Sequence, residues 1–346
     1  MKVLYAVQGT GNGHPTRARD VIPILNSLVD CDVMISGTQS DVDIHYPIKY
    51  QYKGLSFKFG NKGGIDYWAT FKGFCFRDLI REIRNCPVKE YDLVINDFEA
   101  ISAWACKLKG IPCVSLSHQA ALHSDKIPRP PKHDRLGAFV LKYFAPCKEN
   151  YGFHFKKYDK NIFTPLVRKD IRQLVPTNNG HYTVYLPAYS SENIIRILTQ
   201  VPKVKWNVFS KNENKNYQVK NVNIHPIHSK KFIESMASGS GVLCGAGFET
   251  PSEALYLGKK LLVIPMKSQY EQHLNAESLK EMGVPVLKAL DQSNVKRLRK
   301  LVCRGNSVKV SFPNETKYIV EQIISIYEKK GVYQSNNQPV ELIESY

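Results

Sequence analysis

Gly245-Ala246-Gly247-Phe248-Glu249-Thr250-Pro251-Ser252-Glu253-Ala254-Leu255 is the stretch that decides how this chain is read. The apolar run Gly241 to Cys244 precedes it, and a helix-like Pro251 to Leu257 follows. The run Leu261 to Pro265, the loop around Gln269-Tyr270-Glu271-Gln272 and a helical Gln272 to Met282 complete the pattern, with Gly283 placed to end that helix. The order is strand, glycine-rich turn, helix, strand, loop, helix, which is how parallel sheets covered by helices are built.

The same residues suggest chemistry. A glycine turn leading into a helix offers backbone N–H groups to a diphosphate, with Gly245 and Gly247 permitting close approach and the Thr250 and Ser252 hydroxyls adding donors. Glu253 can accept both hydroxyl protons of a ribose diol. Glu271 and Gln272 come to the same sheet edge, where they can bond sugar hydroxyls. A purely structural reading competes: Thr250 as cap, Pro251 as first helical residue and Glu253 as its reciprocal partner make a capping box. Capping accounts for Thr250 to Glu253 but not for Gly245, Gly247 or the Glu271-Gln272 pair.

Working outward, the alternation extends through the second half. Tyr182 to Leu186, Trp206 to Phe209 and Val222 to Ile227 read as strands, Lys230 to Ala237 and Thr316 to Lys329 as helices. In the first half Lys2 to Val7, Asp32 to Ser36, Tyr91 to Asn96 and Pro112 to Ser117 are strand-like, and Pro15 to Leu28 and Glu99 to Leu108 helical. The expected fold is α/β with two Rossmann-like domains facing a central cleft: residues 1–163, residues 164–330, and a polar tail 331–346.

Between the first strand and helix lies Gln8-Gly9-Thr10-Gly11-Asn12-Gly13-His14. Gly11 and Gly13 allow a tight turn, and His14 would face the crevice outside the carboxyl ends of the strands. A neutral imidazole there could take a proton from an acceptor hydroxyl, or His14 could merely cap the helix or bind phosphate. Asp97 or Glu99, beyond another strand, could orient His14, act as the base or cap the next helix. Arg17, one turn on, could pair with phosphate, and His118 is a further cleft candidate.

Composition sets the surroundings. The formal net charge of +17 attracts phosphates of any kind, but no zinc finger, RNA-recognition signature or basic heptad repeat supports nucleic-acid binding. The eight cysteines show no C-x-x-C pair or zinc-like spacing, so a disulfide framework and a metal site are not expected. No apolar segment is long enough to cross a membrane, and the N-terminal run is too short for a signal-peptide core; the expected location is cytoplasmic. Residues 125 to 165 mix aromatics with lysines, as in Phe139 to Phe144 and Tyr151 to Tyr158. Either these pack on the first domain, or they form a face for a membrane-associated acceptor.

The pattern G-x-x-T-x-x-E-A-L-x-x-G, then Pro, then E-Q-x-x-N-A resembles the donor-binding region of GT-B glycosyltransferases, nearest to the peptidoglycan N-acetylglucosaminyltransferase type and the UDP-glycosyltransferases. The G-T-G-x-G-H turn followed by Arg17 resembles their acceptor-side turn. The resemblance implies metal-independent, inverting transfer of a hexose or N-acetylglucosamine from a nucleotide-sugar, UDP-linked, to a glycan or lipid-linked acceptor in cell-envelope synthesis at the inner membrane face. The nucleotide-sugar would be a substrate, with no further cofactor. Gly247 and Thr250 would line the diphosphate, Glu253 hold the ribose, Glu271 and Gln272 the sugar, and the Ile227 backbone read the base; His14, with Asp97, would be the base. Gly245 and Ala246 depart from the Arg or His of many relatives, so Lys267 or Arg17 would have to meet phosphate charge. A nucleotide-sugar epimerase on the same fold and a non-catalytic polyanion or membrane-surface binder are the competing readings.

Overall fold

The computed structural model describes residues 1–37, 44–54, 76–132 and 134–336. Among the described residues the first sheet contains seven strands: β1 (Lys2–Gln8), β2 (Asp30–Ser36), β3 (Tyr50–Tyr52), β4 (Leu93–Asp97), β5 (Cys113–Ser117), β6 (Glu149–Phe153) and β7 (Ile162–Phe163). They lie in the order β3-β2-β1-β4-β5-β6-β7, and every pairing is parallel. Val3 to Val7 are wholly buried because the sheet is covered on both faces, which is why this strand reads as an unbroken apolar run. Helices α1 (Gly13–Leu28), α2 (Phe76–Asn85), α3 (Ala100–Lys109), α4 (His118–Ala121) and α5 (Arg135–Tyr143) belong to this half.

The second sheet is β10-β11-β9-β8-β12-β13, made of β8 (His181–Tyr185), β9 (Lys205–Ser210), β10 (Tyr217–Val219), β11 (Val222–Pro226), β12 (Gly241–Gly245) and β13 (Lys260–Ile264). Only the edge strand β10 runs antiparallel. Its helices are α6 (Lys169–Arg172), α7 (Ser191–Leu198), α8 (Ser229–Ser238), α9 (Glu249–Tyr256), α10 (Tyr270–Glu281) and α11 (Val295–Arg304), and α12 (Thr316–Asn336) follows them in the chain. In each sheet the strand order reverses beside the first strand. At such a switch point the connections leave in opposite directions and open a crevice at the strands' carboxyl ends. The turn after β1 and the turn after β12 both lie at these positions.

Three expectations change. Helix α9 begins at Glu249, so Thr250 is its second residue and Phe248 its cap, with no side-chain capping bond; the capping box does not form. The last helix runs to Asn336 rather than ending at 329, which moves the start of the expected tail, whose residues 337–346 lie outside the described residues. That helix also packs on α1, burying Ile319, Val320 and Ile323 in a core cluster shared with Val21 and Ile22. Among the aromatics of 151–158, Tyr151, Phe153 and Phe155 are core residues of β6 and its exit, so this part takes the packing reading. Helix α5 is split between the two readings: Leu141 is buried in a cluster with Tyr270 and Leu274, whereas Leu136, Phe139 and Tyr143 are exposed.

Candidate active site

The first turn holds a buried ionic cluster. Gly11 takes a left-handed φ of 86°, and α1 opens two residues later, which sets His14 in its first turn. His14 Nδ1 lies 2.8 Å from Asp97 Oδ1 at the end of β4. Arg17, one helical turn on, grips the same carboxylate through Nε at 3.0 Å and Nη2 at 2.7 Å. The Tyr5 hydroxyl from β1 adds a 3.4 Å contact. Burial alone would push the Asp97 carboxyl up, but the charges and hydrogen bonds of Arg17 and His14 outweigh it and hold Asp97 below the usual carboxylate range. An ionised carboxylate only accepts, so Nδ1 of a neutral His14 carries the proton and Nε2 keeps its lone pair. Nε2 has no protein partner among the described residues, and the side chain is 12% exposed.

Phe98 separates the two carboxylates that the sequence left as alternatives. Its φ of 55° is a conformation that costs a non-glycine residue about 1 kcal/mol or more. The reversal lets the Glu99 amide reach Asn96 Oδ1 at 2.9 Å and turns Glu99 into the N-cap of α3. Glu99 accepts from the amides of Ile101 and Ser102 and from the Ser36 hydroxyl, so it is the cap, and Asp97 is the partner of His14. The Phe98 ring stacks on Phe144 and lies parallel to His14, with centroids 6.3 Å apart.

The second turn is built differently. Gln272 Oε1 accepts from the amides of Ala246 (3.1 Å) and Met266 (3.0 Å), stapling the loop after β12 to the loop after β13. Asn275 adds a bond from Nδ2 to the Ala246 carbonyl. A methyl group at Gly247 would meet nothing within 4 Å, so this glycine borders open space. With no side-chain cap, the first N–H groups of α9 are left to solvent or to an anion. Thr250 is half-buried beside them, whereas Ser252 donates its hydroxyl back to the Phe248 carbonyl at 2.8 Å. Glu253 is buried and forms a two-point ion pair with Arg168, Nε–Oε1 2.6 Å and Nη2–Oε2 3.1 Å. Burial raises the Glu253 carboxyl, and Arg168 works against that rise.

Several expected roles therefore shift. Arg17 is 4% exposed and spends its donors on Asp97 and Glu249, so it is not open to phosphate. Gln272 uses its amide oxygen on backbone, leaving Nε2 alone for a ligand. The Ile227 amide donates to the Ser210 carbonyl at 3.0 Å, so only its carbonyl is left to read a base. His118 does not line the cleft. It is buried between the two sheets, stacked on Phe248 with centroids 3.8 Å apart, with Nδ1 at 2.8 Å from the Phe153 carbonyl and Nε2 at 2.9 Å from Asn275 Oδ1. Glu271 is 24% exposed and accepts from Gln119 Nε2 at 3.1 Å, a contact between the two halves. Gly13 lies so close to Glu249 that any side chain there would strike its carboxylate. Lys267 is exposed on the loop after β13.

Sequence reading missed Arg168 and Glu249. Arg168 stands just past the boundary drawn between residues 163 and 164, in no motif, and its partner is 85 residues away. Glu249 stands inside the decisive stretch, yet its partner, Arg17 Nη1 at 3.0 Å, is 232 residues away. A charged residue within a turn meant for an anion was the available signal.

The glycosyl transferase family 1 model matches residues 1–304. Among solved structures the chain is similar to MurG of Acinetobacter baumannii (18% identity, 94% of this chain and 100% of that one, TM-score 0.56). It is similar to the spinosyn forosaminyltransferase SpnP (14%, 95% and 99%, 0.56) and to a UDP-N-acetylglucosamine 2-epimerase (13%, 98% and 98%, 0.57). At such identities these likenesses concern the fold, which is that of GT-B glycosyltransferases. No curated protein sequence matches. Because the family match runs through both sheets and both glycine turns, the chain belongs to glycosyl transferase family 1 and is a glycosyltransferase with two parallel-sheet domains.

Proposed function

We propose that the protein transfers a hexose or N-acetylglucosamine, with inversion and without a metal, from a UDP-linked donor to an acceptor hydroxyl. The observation that carries this reading is the contrast between the His14–Asp97 pair, 2.8 Å apart, and the uncapped, open turn at Gly247. His14 Nε2 takes the acceptor hydroxyl proton as that oxygen attacks the anomeric carbon. The bond from carbon to diphosphate breaks on the opposite face, and the nucleoside diphosphate departs. Asp97 stabilises the imidazolium and fixes its tautomer, as such carboxylates do. The first N–H groups of α9, Gly245, Gly247 and the Thr250 hydroxyl meet the diphosphate charge in place of a metal. Arg168 supplies the cation that Gly245 and Ala246 lack, and Glu253 beside it takes the ribose diol. Glu271 and the Gln272 amide nitrogen bond the sugar, and the Ile227 carbonyl meets the base. Gly11, with nothing within 4 Å of where a side chain would stand, leaves room for the acceptor. Titration calorimetry with UDP, GDP, ADP and CMP and their diphospho-sugars tests the donor. Selective binding of UDP forms, lost in Glu253→Ala, supports the reading; equal or absent binding of all four overturns it.

The acceptor is proposed to be lipid-linked, in cell-envelope glycan synthesis at the inner membrane face. Helix α5 presents Leu136, Phe139 and Tyr143 to solvent beside Arg135 and Lys142, a composition suited to an anionic lipid interface. It packs on α10, next to the Glu271-Gln272 end of the cleft. Flotation with phosphatidylglycerol vesicles should recover the protein, and Phe139→Asp should release it; no flotation of the native protein removes the lipid reading.

A further inference from the structure

Glu249 belongs to the half that holds the donor turn, yet its carboxylate reaches into the half that holds the base. Arg17 Nη1 donates to Glu249 Oε1 at 3.0 Å while Nε and Nη2 of the same guanidinium hold Asp97. The Arg17 side chain is 4% exposed and that of Glu249 40%. Arg17 Nη2 is also 3.0 Å from His14 Nδ1. One buried cation thus sits between two carboxylates from different domains, next to the imidazole. The absence of a side chain at Gly13 is what admits the carboxylate, since a methyl there would collide with it.

We propose that Glu249 is a positioning residue that couples contact between the two domains to the strength of the His14 base. Arg17 with Asp97 alone is a neutral pair, and such a pair does little for a proton arriving on His14. When Glu249 is delivered by the donor-side helix, the cluster carries one net negative charge beside the imidazole. Negative charge nearby favours the imidazolium that forms as the acceptor hydroxyl loses its proton. The negative charge that favours this imidazolium is therefore complete only with the donor turn in place against the first domain. The other charged or titratable groups facing the cluster are Tyr5 of β1 and His118 of α4, with the Arg168–Glu253 pair near Glu249. The inference rests on His14 acting as the base.

The test needs no substrate. The His14 imidazole is followed by NMR across a pH titration in the full chain, its signals assigned from their loss in His14→Gln. Glu249→Gln keeps shape and removes charge. Removing a negative charge that faces the imidazole should move the His14 titration to lower pH. Glu249→Asp, which keeps the charge, should recover most of that shift. An unmoved midpoint in a Glu249→Gln protein with native circular dichroism and melting temperature overturns the proposal. A shift in Glu249→Gln that Glu249→Asp shares in full also overturns it, because shape and not charge would then be responsible. UDP titrated into the same samples reports separately on the donor reading: failure to bind UDP leaves the charge coupling standing, and an unmoved midpoint leaves UDP binding standing.

Discussion

The turn after β1 and the turn after β12 share an architecture, strand to glycines to helix at a switch point, and they are filled in opposite ways. The first is packed with side-chain charge: His14, Arg17 and Asp97, the last two almost wholly buried. The second presents backbone: Gly247 borders open space and the α9 N-terminus has no side-chain cap. A turn that moves a proton needs side chains held at fixed charge and tautomer. A turn that holds a diphosphate needs main-chain donors and room. Glycine serves both, by admitting Glu249 at Gly13 and by admitting a ligand at Gly247.

The contrast breaks most visibly if the first turn is not a buried charge network. Asp97→Ala strips Arg17 of its main partner and leaves it with Glu249 alone; removing one partner of a buried ion pair costs up to about 3–5 kcal/mol, read as a lower urea midpoint. His14→Ala should lower turnover about a hundred- to ten-thousandfold, the usual worth of a general base, while UDP affinity stays native. In the second turn the split reverses. Glu253→Ala should weaken UDP binding about tenfold or more, the scale of a lost charge-assisted hydrogen bond to a ligand.

The seam between the halves responds to pH. Burial lowers the affinity of His118 for a proton, Glu271 opposing, and lowers that of His154 further. Below about pH 6.5 the unfolded chain therefore binds protons that the native protein does not. Stability should be full above that pH and fall as pH drops, by up to about 1.4 kcal/mol per pH unit for each histidine. His154→Gln should flatten the slope measured by urea unfolding between pH 7.5 and 5.5. Smallest in stability is Gly247→Ala: with nothing near the added methyl, unfolding should change by less than about 0.5 kcal/mol, yet UDP binding should weaken.

The parallel architecture was legible because strands buried on both faces are unbroken apolar runs, as in Val3 to Val7, and because glycine turns mark their ends. His14, Gly247 and Thr250 were legible because they stand next to those turns, and Asp97 because it ends a strand at the same edge of the sheet. The capping box misled because Thr-Pro-Ser-Glu satisfies a local rule, while the helix starts two residues earlier, where Glu249 finds Arg17. His118 and Gln272 misled for a related reason. Their residue types suit a cleft, but their partners, Asn275 and the Ala246 and Met266 amides, come from elements that only tertiary packing brings near. Arg168 carried no local signal at all.

The most direct test of this division of labour is one calorimetric series: UDP titrated into the native protein, His14→Ala and Gly247→Ala. Native protein and His14→Ala should bind UDP with equal affinity and Gly247→Ala clearly more weakly, with all three folded alike. Loss of UDP binding in His14→Ala, or native affinity in Gly247→Ala, would contradict that division.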